Sequence, residues 1–158
     1  MKRGVVFSLP GVLESEVAEL IVQTVPSAEM VRFGKNGTDA TSAAIRLSRA
    51  YTGRDHVLVC GYFGWQDWSI GSTTRNKGVP EAVSSLTHKF EFNNLDSLSS
   101  LFSQLDSEVA AVILEPMNVA YPNNGYLEAV KELSHSKGAL LIFDETILNI
   151  FSSMSIPL

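Results

Sequence analysis

The sequence has one cysteine, three histidines and no long apolar run, and each scarcity narrows what the chain does. A lone Cys60 rules out an internal disulfide framework and fits a reducing, cytoplasmic compartment. The longest unbroken stretch of Ala, Val, Ile or Leu is six residues, Val109 to Leu114. A membrane-spanning helix needs roughly 20 apolar residues, so no segment is expected to cross a bilayer. Basic residues number 12 against 17 acidic, giving a net charge of −5 without any polybasic block. Counterion release, which drives nucleic-acid binding, therefore has no footprint here. His56, His88 and His135 are scattered and read as surface or strand positions rather than catalytic ones. No G-x-G-x-x-G follows a predicted strand, which weighs against a dinucleotide binder. What the chain does have is 158 residues, 45% of them apolar and 18% charged. That suits one globular domain or a large piece of one, since domains commonly run to about 100–150 residues.

Lys2 and Arg3 followed by Val5, Val6, Phe7 and Leu9 resemble the start of a signal peptide, but Pro10 and Gly11 interrupt the apolar stretch and Glu14, Glu16 and Glu19 follow. Val17, Leu20, Ile21 and Thr24 behind Ser15 predict a helix from Glu16 to Thr24, ended by Pro26. Met30 to Phe33 reads as a short extended piece. After the turn Gly34-Lys35-Asn36-Gly37, the spacing of Ala40, Ala43, Ala44, Leu47, Ala50 and Tyr51 predicts a second helix up to Gly53. His56 to Cys60 reads as a strand, Tyr62 to Pro80 as a long loop, and Lys89 to Phe92 as a short strand. Leu95, Leu98, Leu101, Phe102 and Leu105 mark a third helix behind Asn93 or Asn94. Val109 to Leu114 is a continuously apolar strand, the pattern of a parallel sheet covered on both faces. A fourth helix spans about Gly125 to Lys137 with Leu127, Val130 and Leu133 inward, and Ala139 to Phe143 is the next strand.

Strands alternating with helices predict an α/β fold, a three-layer parallel sheet whose ligands bind outside the carboxyl ends of the strands. Three features fall at that edge: the turn before Thr38, the loop after Cys60, and Asp144. Gly37-Thr38-Asp39-Ala40 opens a helix after a glycine-containing turn, where free N–H groups and the helix dipole favour an anion such as phosphate. The dipole contributes only about 0.3–1 kcal/mol, so several donors must share the binding. Alternatively, Thr38 is simply the helix N-cap. Asp144 ends an apolar strand, where a carboxylate needs a cation or several donors. A protonated ring nitrogen would serve, worth on the order of 4 kcal/mol at contact with an effective dielectric near 20. Asp144 could instead be a cap or a loop carboxylate. Glu115-Pro116 repeats the pattern at the preceding strand end, so the two carboxylates could also mark a metal or a general acid/base pair. Tyr62, Phe63, Trp65 and Trp68 could stack on a planar ligand or pack in the core.

Asn36-Gly37-Thr38-Asp39-Ala40, Ala44-Ile45-Arg46-Leu47 with Tyr51-Thr52-Gly53-Arg54-Asp55, Gly61-Tyr62-Phe63-Gly64-Trp65, Ile113-Leu114-Glu115-Pro116 and Leu141-Ile142-Phe143-Asp144-Glu145 occur in one order. Together they resemble the class III pyridoxal-phosphate aminotransferases, especially the glutamate-1-semialdehyde aminomutase-like branch. The resemblance implies an incomplete fold-type I large domain over residues 1–146 and a divergent tail over 147–158. It implies pyridoxal 5'-phosphate as cofactor, with Gly37 and Thr38 on the phosphate, Tyr62 stacked on the ring, Asp144 at the ring nitrogen and Glu115 on the substrate side. It also implies a small-molecule amino-group donor or acceptor and a homodimer. Phe63 stands where the family usually has His. The family lysine that carries the cofactor lies well downstream of Asp-Glu, whereas all six lysines here (2, 35, 77, 89, 131 and 137) precede Asp144. The expectation is thus a truncated chain, inactive alone, or a non-catalytic phosphate-binding fragment or association partner of an intact homologue.

Overall fold

The computed structural model describes residues 11–117 and 119–147. The Lys2 to Leu9 stretch and the tail beyond Ile147 lie outside them. The chain divides into two compact units, Met1–Lys35 and Asn36–Leu158.

The first unit holds helix α1, Val12–Thr24. It starts four residues before the expected Glu16, because the Gly11 amide donates to the Glu14 carboxylate at 2.7 Å and closes the first turn there rather than at Ser15. Val25 ends it, one residue before Pro26. None of its residues is buried, and Leu13, Val17 and Leu20 are exposed. The stretch from Met30 to Phe33 forms no strand.

The second unit is a parallel sheet between helical layers. Its elements are α2 (Gly37–Thr52), β1 (His56–Cys60), α3 (Asp67–Ile70), α4 (Glu81–Ser84), β2 (Thr87–Lys89), α5 (Leu95–Leu105), β3 (Val109–Leu114), α6 (Tyr126–Ser136) and β4 (Leu140–Phe143). The strand order is β2-β1-β3-β4, with every neighbouring pair parallel. Alternate strand residues feed opposite faces. Leu58, Val112 and Leu114 pack with Leu98, Phe102 and Val130 of α5 and α6, whereas Val57, Val59, Ala111 and Ile113 pack with Ile45 of α2 and with Phe63 and Trp68. All six residues of β3 are buried, as a central strand covered on both faces requires. Burying such a side chain fully contributes about 1.5–3 kcal/mol, so β3 anchors both cores.

Several local expectations need correction. Helix α2 turns Thr41, Ile45 and Ser48 inward, while Leu47 and Tyr51 of the apolar stripe are 69% and 81% exposed. Its contact with the sheet selects the Ile45 face, and helical spacing alone could not tell the two faces apart. The Tyr62 to Pro80 loop contains α3, held by the Trp68 indole donating to the Ser42 hydroxyl and by the Thr87 hydroxyl donating to the Trp68 carbonyl. The next strand is Thr87–Lys89 rather than 89–92, in register with Val57, Leu58 and Val59. Helix α5 begins behind Asn94, whose side chain accepts from the Ser97 amide. Helix α6 buries Tyr126, Val130 and Ser134, with Leu127 and Leu133 half-buried against the same core. Strand β4 begins at Leu140, one residue after the expected Ala139.

Candidate functional site

From β1 the chain passes to β2 on one side of the sheet, while β3 and β4 lie on the other. Ligands in open α/β sheets settle at such a reversal, outside the carboxyl ends of the strands. The backbone ladder runs on past those ends. The Glu115 amide donates to the Cys60 carbonyl at 3.2 Å and the Asp144 amide to the Leu114 carbonyl at 3.0 Å. Two carboxylates that follow apolar strands are thereby set side by side.

A cavity of about 340 Å³ opens at this edge, lined by Gly37, Thr38, Tyr62, Phe63, Gly64, Glu115, Asp144, Thr146 and Ile147. The five residues that the family resemblance implies for the cofactor, Gly37, Thr38, Tyr62, Glu115 and Asp144, are among them, whereas Trp65 and Trp68 are not. Asn36, not Thr38, caps α2: its side chain accepts from the Asp39 amide at 2.9 Å. Thr38 is thus in the first turn, lining the cavity, with its hydroxyl against Gly64. The amides of Asp39 and Ala40 donate to Asn36, while those of Gly37 and Thr38 have no acceptor among the described residues. Among the described residues none of the lining is Lys or Arg, so an anion here would be met by helix-terminal N–H groups and hydroxyls.

The aromatic loop is pinned to α2 by the Thr41 hydroxyl, which donates to the Phe63 carbonyl at 3.1 Å. Phe63 is buried and stacks on Trp68 with ring centroids 6.2 Å apart. Tyr62 is left 60% exposed at the cavity, free to lie against a flat ligand. Of the two readings left open for the tryptophans, Trp68 packs in the core, whereas Trp65 is 74% exposed. The Tyr62 amide donates to Glu115 Oε1 at 3.2 Å. Burial first, and the Glu115 charge second, push the Cys60 thiol up to about 11.

Three glycines form the cradle. A Cβ on Gly61 would meet Glu115 Cγ at 3.1 Å, one on Gly37 would meet the Thr146 hydroxyl at 3.0 Å, and one on Gly64 would fall inside the Thr38 side chain. Side chains at these positions would press on Glu115, Thr146 and Thr38, which line the cavity.

Two features were missed in the sequence. Thr146 donates from its amide and its hydroxyl to Asp144 Oδ1, at 3.0 and 2.6 Å. The Asp-x-Thr spacing is a local turn signal that could have found it. His56 Nδ1 and His88 Nε2 lie 2.8 Å apart on neighbouring strands, a pairing that only strand register creates. Among the described residues no group of three or more metal-ligating side chains occurs, and no helix is long and apolar enough to cross a membrane.

This sheet with its helices is the incomplete large domain of the fold-type I PLP-dependent transferases. It superposes on a transaminase with PLP bound, at a TM-score of 0.83 and 26% identity over 91% of this chain and 37% of that one. An omega-transaminase from Sphaerobacter thermophilus matches at 0.83 and 30% over 97% and 41%. Residues 6–147 match the aminotransferase class-III family, and the chain belongs to it. It is 43% identical to the glutamate-1-semialdehyde 2,1-aminomutase of Alkaliphilus oremlandii, over 93% of this chain and 38% of that protein. The chain thus spans under two fifths of the curated relatives it matches.

Proposed function

We propose that the chain is the pyridoxal-5'-phosphate-binding portion of a class III aminotransferase or aminomutase of the glutamate-1-semialdehyde type. The observation that carries this reading is the convergence of Gly37, Thr38, Tyr62, Glu115 and Asp144 on one cavity. The donor set suits the cofactor: N–H groups and a hydroxyl for its phosphate, an exposed phenol ring for its flat face, and a strand-end carboxylate for its ring nitrogen. When bound, the cofactor supplies an electron sink for moving an amino group.

In this reading the amides of Gly37 and Thr38, with the Thr38 hydroxyl, hold the phosphate at the N-terminus of α2. Tyr62 covers one ring face and keeps water from it. Asp144 holds the proton on the ring nitrogen, an ion pair worth on the order of 4 kcal/mol at an effective dielectric near 20. Glu115, anchored by the Tyr62 amide, borders the side where a small amino-group donor or acceptor enters. The family homodimer and a cytoplasmic location belong to the same proposal.

Spectroscopic titration of the chain with pyridoxal phosphate tests the reading. Saturable one-to-one binding, weakened by Asp144→Asn and Thr38→Ala, is expected, and binding unaffected by either change would overturn it. No lysine of the chain follows Asp144, so borohydride reduction and mass spectrometry should find no specific lysine adduct. With an amino donor the chain alone should give no sustained transamination, and steady-state turnover would refute its inactivity.

A further inference from the structure

Asp144 differs from Glu115 in how its carboxylate is held. Glu115 Oε1 takes the Tyr62 amide, from a residue far away in sequence. Asp144 takes two bonds from a single residue two positions on: the Thr146 amide at 3.0 Å and the Thr146 hydroxyl at 2.6 Å, both to Oδ1. Oδ2 receives no hydrogen bond among the described residues. The two oxygens of one carboxylate are therefore unequal, one committed and one available.

Thr146 also lies against the start of α2. A Cβ on Gly37 would stand 3.0 Å from its hydroxyl oxygen, so the Thr146 side chain covers the residue that opens α2. Both Thr146 and Gly37 line the cavity with Asp144. One β-branched side chain, with few rotamers to choose from, thus spans from the helix terminus to the strand-end carboxylate.

We propose that Thr146 is a positioning residue for the ring-nitrogen carboxylate. By engaging Oδ1 twice it fixes the rotation of the Asp144 side chain and reserves Oδ2 for the N–H of a protonated six-membered heteroaromatic ring. The proposal rests on the cofactor reading above and adds to it the residue that sets the geometry of its one ion pair. A carboxylate fixed beforehand loses no side-chain freedom when the ring binds, and preorganisation of this kind raises affinity without a new contact to the ligand. The hydroxyl is the decisive part, since the amide bond survives any substitution at 146 that keeps the turn.

The test uses the full chain with pyridoxamine 5'-phosphate labelled with 15N in the ring, a ligand that needs no lysine. Binding constants and the ring 15N chemical shift are measured for the wild type and for Thr146→Val, Thr146→Ala, Thr146→Ser and Asp144→Asn. Thr146 is exposed, so the Val and Ala changes empty no core space. Both should weaken binding about tenfold, the scale of one charge-assisted hydrogen bond. They should also move the 15N signal from the protonated position towards that of Asp144→Asn, and Thr146→Ser should restore both readouts. A merely structural role for Thr146 would leave the 15N shift unchanged. If Val and Ala match the wild type in affinity and shift while Asp144→Asn does not, the positioning role is refuted and the cofactor reading stands. If the wild type does not bind the ligand, or Asp144→Asn binds it equally well, both fall together.

Discussion

Gly64→Ala is the change whose cost the structure defines most closely. Gly64 has φ +97°, where an L side chain is strained by about 1–3 kcal/mol. An added Cβ would fall inside Thr38, with both Cβ and Cγ2 of that residue at 2.9 Å. Thr38 cannot rotate away, because its own Cβ is among the clashing atoms. Overpacking of this kind costs about 1–3 kcal/mol. The sum is about 2–6 kcal/mol, less about 0.4–1 kcal/mol from the reduced freedom of the unfolded chain. Gly78→Ala supplies the control: it has a similar φ of +88° and nothing within 4 Å of its Cβ. In urea titrations Gly78→Ala should show the backbone cost alone, and Gly64→Ala should exceed it by about 1–3 kcal/mol. The displaced Thr38 hydroxyl should also weaken phosphate-ester binding in Gly64→Ala but not in Gly78→Ala. Equal losses of stability in the two variants, with ligand binding intact, would refute the close fit of Gly64 against Thr38.

Arg54 Nη1 donates to the carbonyls of Val109 and Lys137 at 3.1 and 2.8 Å, tying the start of β3 to the end of α6. Arg54→Ala should lower the denaturation midpoint by an amount equivalent to about 1.5–3 kcal/mol, and an unchanged midpoint would show the tie to be idle. Cys60, with its thiol raised to about 11 from 9.0, should hold roughly 100-fold less thiolate near pH 8 than an unperturbed thiol. Its iodoacetamide labelling should be correspondingly slow and still rising at pH 10, and rapid labelling at pH 8 would contradict the burial. His88 is held below the usual histidine value of 6.5 by burial first and by His56 second. A base whose value is lowered by folding contributes its full stability above 6.5 and loses it as pH falls below, because the unfolded chain then binds more protons. Unfolding followed from pH 7.5 to 5 should show this loss, and His88→Gln should flatten it.

Much of the fold was legible because it rests on short-range rules. The six apolar residues of β3 announced a strand buried on both faces, and the Asn93-Asn94 pair announced the start of α5 to within one residue. The Glu-Pro and Asp-Glu pairs after apolar strands announced carboxylates at a ligand-binding edge. What local rules could not supply was decided by long-range contact. Helix α2 has apolar residues on two sides, and only docking on the sheet turned Ile45 in and left Leu47 and Tyr51 out. Trp68 found Ser42 and Thr87 as partners and was buried, while Trp65, three residues away, was left outside. His56 and His88 met because β2 joined β1 in one particular register.

The sequence by itself determined the alternation of strand and helix, the layer architecture, and the residue types available to hold a phosphate, a flat ring and a ring cation. All of these follow from period, capping and the cost of a carboxylate at an apolar strand end. The tertiary structure alone decided that residues from Gly37 to Thr146 share one cavity. That depends on strand order and register, which spacing along the chain does not encode.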